Sequence, residues 1–277
     1  MNKFEGSSKY IAGEELLNSV NVAMALQKPL LIKGEPGTGK TMLAEAIAES
    51  LGMELIIWSI KSTTKAQDGL YLYDTVQRLY DSQFGEGNVG DIKQYIRLGK
   101  LGEAFTSEKQ CVLLIDEIDK ADLEFPNDLL WELDKMEFYI NETKETIKTK
   151  TRPIVIITSN AEKELPDAFL RRCIFHYIEF PDKDKMTEIV HAHYGDIDKK
   201  LVEQAMEAFY SLRDMNELQK KPSTSELLDW IQALIISGGD SKKIVDEIPY
   251  VGVLLKKNED IEVMREIKEK GYSLKRW

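Results

Sequence analysis

The chain contains little cysteine and no long hydrophobic run. Only two of its 277 residues are cysteines, Cys111 and Cys173. Both lie in apolar runs, which favours buried structural thiols over a disulfide or a cysteine metal site. No stretch reaches the roughly 18 apolar residues that a membrane span needs, and the N-terminal residues MNKFEGSSKY lack an apolar segment of signal-peptide length. We therefore expect a cytoplasmic protein with no membrane span.

Basic residues are in the minority as well. The sequence has 37 Lys and Arg against 48 Asp and Glu, which gives a formal net charge of −11. This balance disfavours a surface built as a whole for nucleic acid or anionic membranes, although it leaves room for a local basic groove. With 43% hydrophobic and 31% charged residues, the composition is that of an ordinary globular protein. The length suits one large domain or two unequal ones.

Short apolar runs alternate with helical patterns over roughly the first 180 residues, which is typical of βαβ units and a parallel sheet. Several runs are continuously apolar, as expected of strands that helices cover on both faces. Gly52 follows the first helical pattern at the position of a C-cap glycine. The strand candidates are PLLIK (29–33), MELIIW (53–58), CVLLI (111–115), PIVIIT (153–158) and IFHYIEF (174–180).

The strand signals stop at Pro181, and the rest of the chain has helical patterns. These patterns predict an α/β domain over residues 1–181 and a helical domain over residues 182–277 with a charged tail. The tail has few apolar positions and suits either a solvated helix or a docking helix. The predicted helices are 183–194, 198–213, 223–237 and 259–270.

The sequence GEPGTGKT between the first strand and the first helix fits the phosphate-binding pattern G-x-x-x-x-G-K-[ST]. Its glycines let successive backbone N–H groups point at phosphate oxygens, and the following helix adds its positive N-terminal end. Lys40 is expected to reach the β- and γ-phosphates, and the Thr41 hydroxyl to bind Mg²⁺. The candidate nucleotide-binding residues are Gly34, Glu35, Pro36, Gly37, Thr38, Gly39, Lys40, Thr41 and Met42.

Two carboxylates end the third apolar strand, at the edge of the sheet where open α/β folds bind ligands. Asp116 is expected to hold Mg²⁺ through its water shell, and Glu117 to polarise the water that attacks the γ-phosphate. The competing interpretation is that both acids merely open the next helix, where they suit the helix dipole.

Further polar residues follow the fourth strand. Asn160 ends the run IITSN and is predicted to face the γ-phosphate, unless it is a simple loop asparagine. Arg171 and Arg172 lie between a short helix and the last strand, and on their own they would be interpreted as solvated surface residues.

Together these motifs resemble those of AAA+ ATPases: a phosphate loop, a strand ending in Asp-Glu, a strand ending in Ser-Asn, and L-P-x-A-x-L-x-R before a final strand. The sequence is more narrowly similar to the MoxR group, and within it to CoxD-like ATPases of carbon monoxide dehydrogenase maturation, which are encoded beside von Willebrand A-type proteins. The segment Tyr95–Phe105 supports this narrower match, since that group commonly has a G-P-L-like motif there. The resemblance covers about residues 10 to 240.

The resemblance implies a P-loop AAA+ fold with a five-stranded sheet of order 5-1-4-3-2 and a small helical lid after Pro181. It assigns ATP and Mg²⁺ as cofactors, gives Lys40, Thr41, Asp116 and Glu117 the Walker roles, and makes Asn160 sensor 1. Arg172 matches the arginine finger that acts on ATP in a neighbouring subunit, with Arg171 as second choice, so a ring, most often a hexamer, is implied. Tyr10 and Ile11 lie where the family packs the adenine.

Other segments depart from the family pattern or are ambiguous. The lid sequence PSTSE puts Ser225 at or near the position of the sensor-2 arginine. The aromatic segment that begins at Leu70 suits either a grip on a peptide or packing against the sheet. Residues 139–152 predict a β-hairpin with a modest basic strip, which would meet an acidic partner or be solvated.

These features predict an ATP-hydrolysing, MoxR-type AAA+ chaperone that remodels a protein client, with metalloenzyme maturation and a von Willebrand A-type partner as the narrower expectation. The alternative is a nucleic-acid motor or clamp-loader-like ATPase, which would share every nucleotide-site residue. The net charge of −11 disfavours that alternative. A small-molecule kinase or GTPase fits less well, because the guanine motif N-K-x-D is absent.

Overall fold

The computed structural model describes residues 3–7, 10–85, 88–160, 162–195, 197–238 and 244–269. Two compact units form the chain. One contains residues up to Gly34 together with residues 39–178, and the other contains Glu35–Thr38 together with residues 179 onward. Residues 86–87, which follow the aromatic segment that begins at Leu70, and the tail beyond residue 269 lie outside the described residues.

A parallel five-stranded sheet forms the centre of the first unit. Its strands are β1 (Leu30–Gly34), β2 (Leu55–Ser59), β5 (Val112–Asp116), β8 (Ile154–Ser159) and β9 (Ile174–Ile178). They are arranged in the order β2-β5-β8-β1-β9, and all neighbours run parallel. Counted along the chain, this is the predicted order 5-1-4-3-2 read from the other edge, so the predicted fold class is confirmed.

Both faces of the sheet are covered. Leu113 and Ile115 pack in one apolar cluster, whereas Val112 and Leu114 pack in another on the opposite face. This alternation within one continuously apolar strand explains why the sequence shows no polar face there. The flanking helices of this unit are α1 (Glu14–Leu26), α2 (Lys40–Leu51), α5 (Lys100–Thr106), α6 (Phe125–Asp128), α7 (Leu130–Lys135) and α8 (Asp167–Leu170).

An insertion lies between β2 and β5. It consists of α3 (Ala66–Leu70), β3 (Tyr71–Tyr73), α4 (Thr75–Phe84), a 3₁₀ turn (Ile92–Tyr95) and β4 (Ile96–Leu98). The strands β3 and β4 pair antiparallel as a separate two-stranded sheet. Asp74 begins α4 as its N-cap, because its side chain accepts a hydrogen bond from the Gln77 N–H at 2.9 Å.

A β-hairpin precedes β8, as the sequence predicted for residues 139–152. Its strands are β6 (Glu137–Ile140) and β7 (Glu145–Lys148), so it begins two residues earlier than expected. The Lys148 ammonium pairs with Glu137 across the hairpin at 2.8 Å. Glu137 therefore balances the charge of Lys148 in the predicted basic strip.

The second unit is helical among its described residues. Its longer helices are α9 (Lys183–Tyr194), α10 (Lys199–Asp214), α11 (Thr224–Ile236) and α14 (Asn258–Glu269), close to the predicted bounds. The sequence patterns missed two four-residue helices, α12 (Ile244–Glu247) and α13 (Val251–Leu254), because one turn is too short to show helical periodicity. Ser223 and Glu226 form a capping box at the start of α11.

Both cysteines are free thiols. Cys111 is buried and Cys173 half-buried. Burial raises the pKa of both thiols, to about 12 for Cys173. Within the residues that the structure describes, no helix combines the length and apolar character needed to cross a membrane.

Candidate nucleotide site

The loop of residues 34–41 connects β1 to α2, as its sequence predicted. Gly37 and Gly39 have φ angles of 77° and 81°, in the left-handed region that glycine adopts without strain. The Lys40 ammonium folds back on the loop and donates to the Gly34 carbonyl at 2.9 Å, with the Lys40 residue only 6% exposed. The loop thus holds its lysine beside the glycine turn.

The central loop residues Glu35–Thr38 belong to the second unit. The Thr38 hydroxyl donates to the Glu35 carbonyl at 2.9 Å. A Cβ atom added at Gly37 would lie 2.7 Å from the Cβ of Ser223. Any larger residue at Gly37 therefore meets both an unfavourable backbone angle and a steric clash.

Arg213 is a buried charge in α10 that the sequence reasoning missed. Its guanidinium donates to the Pro222 carbonyl at 2.6 Å and to Glu35 Oε2 at 2.7 Å. The guanidinium carbon also lies 3.3 Å from the ring centroid of Phe180. Arg213 lies four residues after Phe209, on the buried face of α10. A charged residue at a position where helical periodicity predicts an apolar one was the sequence signal that could have identified it. Ser225, at the expected sensor-2 position, is exposed.

The carboxyl ends of β5 and β8 place Asp116 and Thr158 together. Asp116 Oδ1 accepts from the Thr41 hydroxyl at 3.1 Å and from the Thr158 hydroxyl at 2.7 Å. The Thr158 oxygen in turn accepts from the Glu117 backbone N–H at 2.8 Å. Thr158 was not among the predicted site residues, although it lies two positions before Asn160 at the end of an adjacent strand. The predicted pair Thr41 and Asp116 is brought into contact.

Glu117 has a φ angle of 59°, which is uncommon for a residue with a side chain. Its carboxylate accepts from Asn160 Nδ2 through Oε1 at 2.8 Å. The other oxygen, Oε2, forms an ion pair with the Lys120 ammonium, and this contact raises the pKa of Lys120. The structure therefore joins the two residues that the sequence proposed as base and sensor, and adds Lys120 to them.

The predicted adenine-packing residues differ in their surroundings. The Tyr10 ring lies beside the loop, since a Cβ atom added at Gly39 would be 3.3 Å from a ring carbon. Burial raises the pKa of Tyr10. Ile11 is exposed, at 38%, as is Met42 at 48%, which was predicted as a nucleotide-binding residue without a stated role. An apolar surface beside the loop is what packing against a base needs.

The two candidate finger arginines lie apart from this network. Arg172 donates through Nε to Asp134 Oδ2 at 2.7 Å and through Nη1 to the Ala168 carbonyl at 2.8 Å. Among the described residues, neither Arg171 nor Arg172 forms an ion pair or hydrogen bond with Lys40, Asp116 or Glu117.

The residues fit Mg²⁺ and a nucleoside triphosphate by their donor chemistry. The Thr41 hydroxyl and the Asp116 carboxylate are hard oxygen donors 3.1 Å apart, and Mg²⁺ is usually held by one or two such groups together with phosphates and waters. Across the part of the chain that is described, no cluster of three or more His, Cys, Asp or Glu side chains offers an all-protein metal site.

Comparison with known proteins places these features in one family. The model of the AAA family, described as the ATPase family associated with various cellular activities, matches residues 30–182, more than half of the chain. The chain is 26% identical over 184 residues to the ATP-dependent zinc metalloprotease FTSH 8, chloroplastic, of Arabidopsis thaliana, over 63% of this chain and 23% of that protein. It is 27% identical over 120 residues to midasin of Dictyostelium discoideum, over 38% of this chain and 2% of that protein.

The chain thus spans less than a quarter of the length of these two relatives. Among solved structures, it resembles the RuvB Holliday junction branch migration motor of Thermotoga maritima with a TM-score of 0.55 and 15% identity, over 94% of this chain and 77% of that one. At that identity the likeness concerns the fold alone. Since the family match covers the sheet, the phosphate loop and the strand ends described above, the chain belongs to the AAA family of ATPases.

Proposed function

We propose that this chain couples ATP hydrolysis to the remodelling of a protein client. The observation that carries the hydrolysis is the hydrogen-bonded set at the ends of β5 and β8. Thr41 and Asp116 are in contact there, and Glu117 is held beside Asn160. A cation-binding pair next to a candidate base is the arrangement that ATP hydrolysis requires.

Each residue has a distinct task in this proposal. The backbone of the loop and Lys40 bind the phosphates, while Thr41 and Asp116 hold Mg²⁺, which when bound neutralises charge on the phosphates. Glu117 accepts a proton from the attacking water through its carboxylate, and Asn160 orients that carboxylate. Tyr10 and Ile11 pack against the adenine, and Met42 borders the phosphate loop.

We further propose that Arg172 completes the site of a neighbouring copy in a ring, most simply a hexamer. The Arg172 side chain is 43% exposed, and Asp134, its ionic partner among the described residues, is 46% exposed. An exposed ion pair of this kind contributes little to stability, so Arg172 can exchange it for a contact with phosphate. Arg171, which precedes it, remains the second choice.

Helix α4 supports the proposal of a protein client, because its apolar residues face solvent and its buried residue is an acidic one. The only buried residue among those of α4 is Asp81, which accepts hydrogen bonds from Tyr95 and Gln77 at 2.8 Å. Val76 is five residues away and so about 140° around the helix axis, and it is 79% exposed. The other exposed apolar residues of α4 are Leu79, Tyr80 and Phe84.

A contiguous apolar face that points to solvent marks an interaction site. We propose that a protein segment covers it during remodelling. Arg78 is the only charged residue of α4 besides the buried Asp81, whereas a nucleic-acid-binding surface needs several basic side chains. The face therefore favours the protein client over the nucleic-acid alternative, as does the net charge of −11.

The narrower parts of the proposal rest on the sequence resemblance. They are membership of the MoxR group with CoxD-like ATPases as the nearest type, a chaperone role in metalloenzyme maturation, a von Willebrand A-type partner and a cytoplasmic location. The division into a nucleotide-binding domain over residues 1–181 and a helical lid over 182–277 is likewise proposed from the sequence.

The client role is tested with the ATP-bound Glu117→Gln variant and a purified von Willebrand A-type protein from the same genome. We expect binding in ATP that is lost when Val76→Ser and Phe84→Ser are added, while the exposed control Ser82→Ala leaves it intact. Absence of such binding, together with ATPase stimulation by DNA that weakens steeply with salt, would instead establish the nucleic-acid motor.

A further inference from the structure

The phosphate loop carries a negative charge of its own. Glu35 lies between Gly34 and Pro36 in this loop, and its side chain is 47% exposed. Like charges repel, so a carboxylate at this position opposes the binding of a polyphosphate. A loop that binds polyanions therefore needs a positive charge close to Glu35.

Arg213 supplies a positive charge at that point. Its Nη2 atom donates to Glu35 Oε2 at 2.7 Å, and its side chain is only 9% exposed. Both residues belong to the second unit. Because one member of the pair is shielded from water, solvent and salt screen this pair less than an ion pair that is fully exposed. The negative charge of Glu35 is thus largely cancelled where it would face a phosphate.

Arg213 is also held by contacts that do not involve Glu35. Its Nη1 atom donates to the Pro222 carbonyl at 2.6 Å, and its guanidinium carbon lies 3.3 Å from the ring centroid of Phe180. It lies in the last turn of α10, where the helix dipole favours a positive charge. If Glu35 lost its charge, the guanidinium would therefore stay beside the loop.

We propose that Arg213 is a positioning residue whose charge neutralises Glu35 and thereby sets the affinity of the loop for nucleotide. This inference rests on the proposed role of the loop as the phosphate site. Arg213 acts through Glu35 and not as a phosphate ligand, because it is buried and both Nη atoms already donate to protein oxygens. The net charge of the pair decides the affinity.

A purely structural role of the pair leads to a different expectation. If the ion pair only held the loop in shape, removal of either charge would loosen the loop and weaken nucleotide binding. In our proposal the two removals act in opposite directions, since Glu35→Gln leaves an extra positive charge and Arg213→Gln an extra negative one. Both variants should lose stability because the ion pair is lost, so nucleotide affinity, and not the melting temperature, separates the two roles.

The test measures binding of the non-hydrolysable ATP analogue adenylyl imidodiphosphate, with Mg²⁺, to the full chain by calorimetric titration. Glu35→Gln should lower the dissociation constant about three- to tenfold, and Arg213→Gln should raise it about as much, as expected for one unit charge near the phosphates. The double variant should bind like the wild type, because the two changes in charge cancel. The effect of each single variant should shrink between about 0.05 M and 0.5 M salt.

Glu203→Gln is the matched control for the change in net charge. Glu203 is an exposed residue of α10 that lies ten residues before Arg213, which corresponds to about 15 Å along the helix axis. This variant should bind the analogue like the wild type.

Weaker binding by Glu35→Gln, or binding equal to that of Glu203→Gln, would overturn the inference, as would wild-type affinity in a folded Arg213→Gln variant. If Arg213→Gln does not fold, Glu35→Gln and its salt dependence still decide. Failure of the proposed function gives a different result. The wild type would then not bind the analogue, or Lys40→Ala would bind it equally well, whatever the charge of the pair.

Discussion

Thr158 offers the sharpest structural prediction, because one buried hydroxyl joins both acidic residues. Thr158→Val keeps the shape but removes the donor to Asp116 Oδ1 and the acceptor of the Glu117 N–H. A hydrogen bond to a charged group contributes about 1.5–3 kcal/mol, and a buried N–H without a partner costs about 1–3 kcal/mol. Because Asp116 is only partly buried, we expect a combined loss of about 3 kcal/mol in the free energy of unfolding.

Thr158→Ser is the matched control, since it keeps the hydroxyl and loses one methyl group at a cost of about 1 kcal/mol. In thermal unfolding, Thr158→Val should lower the melting temperature by on the order of 10 °C relative to the wild type. Thr158→Ser should lower it by about a third of that amount. Thr158→Val should also need severalfold more Mg²⁺ for half-maximal hydrolysis, because Asp116 loses a fixed orientation. Melting temperatures of the two variants that agree within a degree would refute this reasoning.

Three further predictions concern the loop, the finger and the thiols. Gly37→Ala should weaken ATP binding at least tenfold in a fluorescent-nucleotide titration, because φ is 77° and the new Cβ would meet Ser223 at 2.7 Å; binding equal to that of wild type would contradict the loop geometry. Arg172→Ala should lower kcat by about 10³- to 10⁵-fold, with partial rescue in rings mixed with a Lys40→Ala chain; absence of rescue would count against action in trans. The Cys173 thiol has a pKa of about 12, so the folded state binds more protons than the unfolded state above pH 9. The free energy of unfolding should therefore fall as pH rises from about 9 to 12, and Cys173→Ser should reduce this fall in urea titrations. An equal fall in the variant and the wild type would refute the raised pKa of Cys173.

The sheet could be predicted from the sequence because its strands are buried on both faces and bounded by turn residues. Each of the five predicted runs overlaps one strand of the sheet, with ends within about two residues. The order of the strands came from the family resemblance and not from periodicity. Insert helix α4 gave no clear signal, since its apolar residues face solvent and its polar Asp81 faces inward, the reverse of the usual pattern.

The candidate site was predictable where a motif fixes both residue type and position. Lys40, Asp116 and Glu117 belong to such motifs. Thr158 and Lys120 do not, because their contacts arise between strands or turns whose geometry appears only in the folded chain. A threonine in an apolar strand or a lysine after Asp-Glu carries no distinguishing spacing.

Hydrolysis by Glu117→Gln tests the account most directly. The substitution removes the proton-accepting carboxylate and leaves Lys40, Thr41 and Asp116 in place. With Mg²⁺ and ATP, the variant should bind nucleotide with wild-type affinity while its kcat falls by about 10²- to 10⁴-fold, the contribution expected of a general base. Wild-type turnover by this variant would contradict the account, as would failure of the wild type to bind ATP.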